Sequence, residues 1–187
     1  MGNFSHYFTL VLAWGTLLLD IGIVVLLLWW LLQFLRKRQH KNLLCVHSWQ
    51  WLSAHAGKLA WALAVLATAG SLTYSGIIGF EPCRLCWWQR IFMYPQVILL
   101  WSAWRGKLAN LRWYSLLMVV IGAAIAKYHY IMQLGWVNAG SCDALGYSSA
   151  CSQRFVLNFG YITIPMMAAT VFAGIAILLL INWWENR

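Results

Sequence analysis

The sequence predicts an all-α membrane protein: a four-helix transmembrane bundle preceded by one additional N-terminal transmembrane helix. Of its 187 residues, 63% are hydrophobic and only 9% are charged, against about 25% charged residues in a typical soluble domain. The apolar residues form continuous runs of about the 20 residues that a helix needs to cross a hydrocarbon core. Basic residues stand at the ends of these runs, as they do beside membrane-spanning helices.

Five runs are long enough to span a membrane. The first, 7–35, has no basic residue before it and exceeds the core of a signal peptide, so a retained helix with its N-terminus outside is expected. Asp20 near its middle would be protonated, partnered or facing a polar cavity, because an isolated charge there is costly. Pro165 is expected to bend the last span. The other four spans are predicted at 59–80, 86–104, 113–136 and 161–184.

The basic residues predict how the chain is oriented. Loops rich in Lys and Arg stay in the cytoplasm, so segments 81–85 and 137–160 would lie outside and the C-terminus inside. The same pattern argues against nucleic-acid binding as the reason for the net charge of +9, since these residues form no single patch. The residues in the two predicted cytoplasmic loops are Arg36, Lys37, Arg38, Lys41, Lys58, Arg105, Lys107 and Arg112.

Four of the five cysteines fall on the predicted outer face: Cys83, Cys86, Cys142 and Cys151, with Cys45 alone on the cytoplasmic side. Disulfides persist outside the cytosol, which leaves structural disulfides, a metal site or a redox relay. Structural zinc sites usually stabilise small soluble modules. A disulfide across Cys-x-x-Cys closes too short a loop to restrict the unfolded chain much. A redox relay is therefore favoured.

The motif from Cys83 to Cys86 stands at the start of a predicted helix. The positive helix end and nearby cations favour a thiolate there. Arg90 lies one turn beyond Cys86 on the same face. Lipid-soluble quinones are the electron acceptors available at this depth, and an arginine facing the bundle can hydrogen-bond a quinone carbonyl. The alternative for Arg90 is a cation that reaches toward the headgroups.

The segment 81–95, EPCRLCWWQRIFMYP, resembles the signature of the DsbB/BdbC family of disulfide-generating membrane proteins. The resemblance continues through 128–133, the loop with Cys142 and Cys151, and 159–165. It divides the chain into 1–57, an N-terminal helix with a basic cytoplasmic loop, and 58–187, a DsbB-like four-helix domain. Usual members have four spans, so the resemblance assigns no role to the added first helix.

This resemblance implies a thiol:quinone oxidoreductase in the bacterial inner membrane that makes protein disulfides. Its acceptor would be ubiquinone or menaquinone, and its partner a DsbA-like thioredoxin-fold protein on the outer face, which the family keeps oxidised through quinone. No metal belongs to this scheme. Two alternatives stay open: an enzyme like vitamin K epoxide reductase, whose motif comes late in the chain, and a non-catalytic membrane scaffold with permanent disulfides.

The resemblance also implies a role for each candidate residue. Cys142 would form a mixed disulfide with the partner, while Cys151 would pair with Cys142 at rest and with Cys83 during exchange. Cys86 would face the quinone. Two further residues would lie against the quinone, Arg90 to orient and polarise the ring and His129 beside it.

Overall fold

The computed structural model describes residues 2–35, 43–105, 111–137 and 151–185. These ranges contain five long helices and no strand, apart from one isolated bridge between Asn158 and Ile162. The predicted all-α class is therefore confirmed. The helices are α1 (Gly2–Leu35), α2 (Leu43–Gly76), α3 (Arg84–Trp104), α4 (Leu111–Gln133) and α5 (Ile164–Glu185).

Helices α2 to α5 form a four-helix bundle, and α1 packs on its outside. In the bundle, α3 lies between α2 and α4, and α5 closes the ring by packing on the same two helices. On α2 the fully buried Ala56, Ala60 and Ala64 recur every four residues, so they share one face. Small side chains on that face let neighbouring helices approach closely. The added helix α1 packs mainly on α5.

Glycine has the same effect where α4 meets α5. A Cβ atom on Gly122 would overlap the ring of Phe172, which is fully buried. Close packing of α4 on α5 at this position therefore depends on the absence of a side chain at residue 122. Gly174 of α5 lies between two helices, because a Cβ there would meet Leu63 of α2 at 3.4 Å and Leu19 of α1 at 3.5 Å.

Four of the described helices, α1, α2, α4 and α5, are long and apolar enough to cross a membrane. The chain is therefore a multi-pass membrane protein. Helix α3 has 21 residues, about 31 Å of helix, but its polar residues lower its mean hydropathy. One of them, Gln96, is completely buried and accepts a hydrogen bond from the Ser115 hydroxyl of α4. The crossing by α3 itself stays a prediction.

Three predicted details of the helix ends are wrong. The second run was placed at 59–80, but α2 already begins at Leu43 and ends at Gly76. Beyond Gly76 the chain turns, and the Phe80 amide donates to the Tyr74 carbonyl at 2.9 Å. Gly79 makes this turn possible with a φ of +84°. Pro165 does not bend a helix either. It lies in the first turn of α5, where the N–H that proline lacks would have no helical acceptor.

Asp20 has one partner on the last helix and one in the segment before it, which explains a carboxyl group inside an apolar helix. Its two oxygens accept hydrogen bonds from the Thr170 hydroxyl at 2.7 Å and the Tyr161 hydroxyl at 3.2 Å. These bonds attach the middle of α1 to α5 and to the segment just before it. The ring of Phe8 contacts Tyr74 of α2 with centroids 5.4 Å apart. The predicted division at residue 58 falls within α2 and stays a prediction.

Candidate functional site

The motif cysteines occupy the first turn of α3. Cys83 is the N-cap residue with extended backbone, and Cys86 is the third residue of the helix. The Cys83 sulfur accepts a hydrogen bond from the Cys86 amide at 3.4 Å, which is how a cap residue satisfies an unpaired N–H group of the first turn. Both residues are free thiols, and their sulfur atoms lie 3.0 Å apart. The predicted position at a helix N-terminus is confirmed.

The two thiols are not electrostatically equivalent. The hydrogen bond to Cys86 and then burial raise the pKa of Cys83 to about 12. Cys83 therefore keeps its proton at neutral pH. A negative charge on the pair belongs on Cys86, which lies among the N-terminal amides of α3 and one turn before Arg90.

His129 of α4 is almost fully buried beside the pair. Its Nε2 atom lies 3.7 Å from the Cys83 sulfur and 3.1 Å from the Cys151 carbonyl oxygen. Its Nδ1 atom lies 3.1 Å from the amide nitrogen of Gln89. An amide NH₂ group can only donate, so Nδ1 accepts and the ring proton resides on Nε2. His129 thus donates toward the backbone of Cys151.

Cys151 is held beside Cys83 by the C-terminal end of α4. The two cysteines and Met132 form a buried cluster, against which Cys86 packs. The segment that follows Cys151 is attached in the same way. Gln133 donates to the Gln153 carbonyl at 3.1 Å, and Arg154 donates back to the Gln133 carbonyl.

Arg90 is fixed to α2 by Ser71. Its Nε donates to the Ser71 hydroxyl at 3.0 Å and its Nη2 to the Ser71 carbonyl at 3.2 Å. Tyr94 donates to the same hydroxyl at 3.3 Å, and the guanidinium lies 5.1 Å from the centre of the Trp87 ring. Within the described ranges Nη1 makes no hydrogen bond. The guanidinium is thus oriented by its anchor and keeps donors for a ligand.

A cavity of about 660 Å³ opens beside these groups. This volume lies within the range of small-molecule sites, which are mostly apolar with a few placed polar groups. A quinone fits this description, because its ring is flat, its carbonyls accept hydrogen bonds and its tail is apolar. The polar lining includes Cys83, Cys86, Gln89, Arg90 and His129, and the remaining wall is mainly apolar side chains of α1, α2 and α5.

The same thiols also have the geometry of a metal site. The donor atoms of Cys83, Cys86 and His129 lie within 4.8 Å of one another. Three protein donors with an open position suit a thiophilic ion such as zinc. Within the described residues, therefore, the choice between metal binding and redox chemistry rests on the family to which the chain belongs.

The structure brings together most of the residues that the sequence singled out. Cys83, Cys86, Cys151 and His129 meet at one end of the bundle, and Arg90 lines the same cavity as the motif pair. Cys142 and the side chain of Cys45 lie outside the described residues.

Sequence reasoning missed Gln89, Ser71, Gln133 and Arg154. Gln89 had a local signal, since a polar residue three positions after Cys86 shares its helix face. Ser71 had none, because one serine in an apolar helix does not indicate which helix it faces.

Two thiols at the tip of a bundle helix, with a further cysteine buried against them, fit the class of membrane thiol–disulfide oxidoreductases as well as they fit a metal site. Comparison with known families narrows the class. The family model for disulfide bond formation protein DsbB matches residues 53–182. The chain therefore belongs to the DsbB family of disulfide bond formation proteins. The resemblance seen in 81–95 is thereby confirmed.

Named relatives agree with this assignment. The chain is 42% identical over 118 residues to the probable disulfide formation protein C 1 of Bacillus anthracis, covering 63% of this chain and 84% of that protein. It is 39% identical over 120 residues to disulfide bond formation protein C of Bacillus subtilis strain 168, covering 63% and 85%. A probable disulfide formation protein of Chlamydia trachomatis serovar D is 35% identical over 123 residues, covering 66% and 88%. No solved structure gives a match.

Proposed function

We propose that the chain is a thiol:quinone oxidoreductase that reoxidises an extracytoplasmic, DsbA-type dithiol partner. The observation that carries the proposal is the position of Cys83 and Cys86. They meet Cys151 on one side and line a cavity with Arg90 on the other. A thiol pair with access to both a third cysteine and a quinone-sized cavity can pass electrons between them.

The first transfer takes electrons from the partner. A partner thiolate attacks Cys142 and breaks a Cys142–Cys151 disulfide, which releases Cys151 as a thiolate. The second partner thiol then displaces Cys142, so the partner leaves with its disulfide and two electrons remain on the chain. Exchange of this kind needs a thiolate nucleophile with access to the sulfur it attacks.

The second transfer joins the two cysteine pairs. Cys151 attacks the sulfur of Cys83 in a Cys83–Cys86 disulfide, and Cys86 leaves as a thiolate. Cys142 then displaces Cys83, which restores the Cys142–Cys151 disulfide and leaves Cys83 and Cys86 reduced. The burial of Cys151 against Cys83 supports the direction of attack. The helix N-terminus supports Cys86 as leaving group, because its positive end stabilises the thiolate that forms.

The reduced pair then faces the cavity. Cys83 and Cys86 would pass two electrons and two protons to a quinone bound there, so that the Cys83–Cys86 disulfide forms again and the quinone becomes a quinol. Arg90 would donate to a ring carbonyl through Nη1, since Nε and Nη2 are already bonded to Ser71. A fixed planar guanidinium directs its donors better than a lysine ammonium, which is a mobile point charge.

We further propose that the cysteine end of the bundle faces outside. Helix α3 runs from Cys83 at one end to Arg105 at the other, and α4 starts near that second end with Arg112. Basic residues at this end support a cytoplasmic location. In a bacterial inner membrane α1 would then begin outside and α5 would end in the cytoplasm.

Oxidation of a reduced thioredoxin-fold dithiol protein by the purified chain tests the proposal. We expect oxidation only when quinone is supplied, with quinol formed in equal amount, and none with Cys86→Ser. Cys45→Ser is the matched control and should keep the wild-type rate. Full turnover by Cys86→Ser, or turnover that ignores quinone, would refute the relay. Cysteines that resist mild reductant would instead favour the scaffold with permanent disulfides.

A further inference from the structure

We propose that α1, the added N-terminal helix, forms one wall of a binding site for the hydrocarbon tail of the quinone. This inference rests on the proposed function, because it concerns how the same acceptor is held. The family match begins only at residue 53, so α1 lies outside the part of the chain that it covers. The residues of α1 that line the cavity are Val11, Leu12, Gly15, Thr16, Leu18 and Leu19.

The cavity has two chemically different ends. Near the motif pair it presents the guanidinium of Arg90 and the amide of Gln89. Toward α1 the side chains of Val11, Leu18 and Leu66 are apolar. A ligand with a polar ring and a long hydrocarbon tail matches this division. With the ring at Arg90, the tail leads between α1 and the bundle, and burying its methylene groups there would contribute to affinity.

The surface of α1 at Gly15 faces open space. A Cβ atom placed on Gly15 would meet no atom within 4 Å, and this glycine lines the cavity. The neighbouring Thr16 adds no unpaired hydroxyl to the α1 side of the cavity, since its hydroxyl donates to the Leu12 carbonyl at 2.8 Å. Such a surface suits a hydrocarbon chain, which offers no hydrogen bond in return.

The position of α1 is maintained on both sides of this space. On the α5 side, Asp20 accepts from Thr170 and Tyr161. On the α2 side, Phe8 packs on Tyr74, and a Cβ on Gly70 would touch Leu12 at 3.4 Å. Asp20 is therefore a positioning residue: it keeps α1 at the distance that leaves room for the tail.

Equilibrium binding of two quinones that share one ring tests this wall. One carries a decyl tail and the other none. We expect Gly15→Phe to raise the Kd of the decyl quinone about tenfold, equivalent to roughly two buried methylene groups, and to leave the Kd of the tailless ring within about twofold. Gly22→Phe is the matched control. Gly22 lies seven residues further on the same face, has equally open space and does not line the cavity.

A photoreactive group at the end of the tail gives a second readout that needs no variant. After irradiation of the wild-type protein, mass spectrometry should locate the label in α1, within residues 2–35. Excess unlabelled decyl quinone should prevent this labelling. Label confined to other helices, or equal weakening of both quinones by Gly15→Phe, would refute the wall. The wall would also be refuted if phospholipid displaced the decyl quinone and quinone affinity did not depend on tail length. That result would indicate a site for lipid acyl chains.

Failure of the inference and failure of the proposed function look different. If the tailless ring oxidises the reduced Cys83–Cys86 pair but tail length has no effect on binding, only the role of α1 is wrong. If neither quinone oxidises the pair, the proposed function is wrong, and the role of α1 fails with it.

Discussion

Gln89 of α3 and His129 of α4 are joined across the bundle by a hydrogen bond of 3.1 Å between the amide nitrogen and Nδ1. This bond places the ring proton on Nε2, from which His129 donates to the backbone of Cys151. The orientation of one histidine ring thereby couples the motif helix to the segment that carries the third cysteine.

We expect Gln89→Leu to slow electron transfer from Cys151 to Cys83 about tenfold, because the imidazole loses the donor that fixes its tautomer. Loss of the buried bond should also lower the free energy of unfolding by about 1 to 3 kcal/mol. Rapid mixing of the reduced partner with oxidised protein, quenched by alkylation, measures the transfer. Gln96→Leu is the control, since Gln96 is buried on the same helix but bonds Ser115. Equal slowing in both variants would mean that the effect is only one of stability.

The raised pKa of Cys83 leads to a prediction about its reactivity. Its first cause is the hydrogen bond to Cys86, so removing that sulfur with Cys86→Ala should lower the pKa from about 12. Each unit of decrease gives about ten times more thiolate at pH 8. We expect alkylation of Cys83 in the reduced protein to become at least about tenfold faster. Mass spectrometry of the peptide that contains Cys83 measures this rate. An unchanged rate would indicate that burial alone protects the thiol.

Arg90→Lys should raise the apparent KM for quinone while thiol exchange with the partner stays intact. A hydrogen bond to a charged group contributes about 1.5 to 3 kcal/mol, which corresponds to about 10- to 100-fold in affinity. Ser71→Ala should have a smaller effect in the same direction, because it loosens the Nε anchor. Arg105→Lys at the other end of α3 is the control. An unchanged KM in Arg90→Ala would leave Arg90 as an interfacial cation and would direct the search for the quinone toward His129.

The proposed orientation predicts which cysteine is reached from outside. A maleimide that cannot cross the membrane, applied to intact reduced cells, should label Cys142 and leave Cys45 unlabelled. Permeabilised cells supply the control, in which Cys45 becomes reactive. Labelling of Cys45 in intact cells would show that the chain has the opposite orientation. A redox site that faces outside would then be excluded.

The sequence alone was enough for the features that depend on local physics. Continuous apolar runs predict the helices, because hydrocarbon forces each crossing segment to satisfy its own backbone hydrogen bonds. The start of α3 was equally readable. A spacing of three residues places the Cys86 amide over the Cys83 sulfur whatever the rest of the chain does. The motif in 81–95 also sufficed to indicate the family, which the comparison then confirmed.

Only the tertiary structure decided which helix faces which. The anchor of Arg90 on Ser71, the bond from His129 to the Cys151 backbone and the partners of Asp20 all join residues far apart in sequence. Their formation depends on how α2 to α5 rotate and pack as a ring, with α1 outside. An apolar helix in lipid carries little amphipathic pattern to fix that rotation, because every face is apolar. Close packing of small residues and a few buried polar bonds determine it instead.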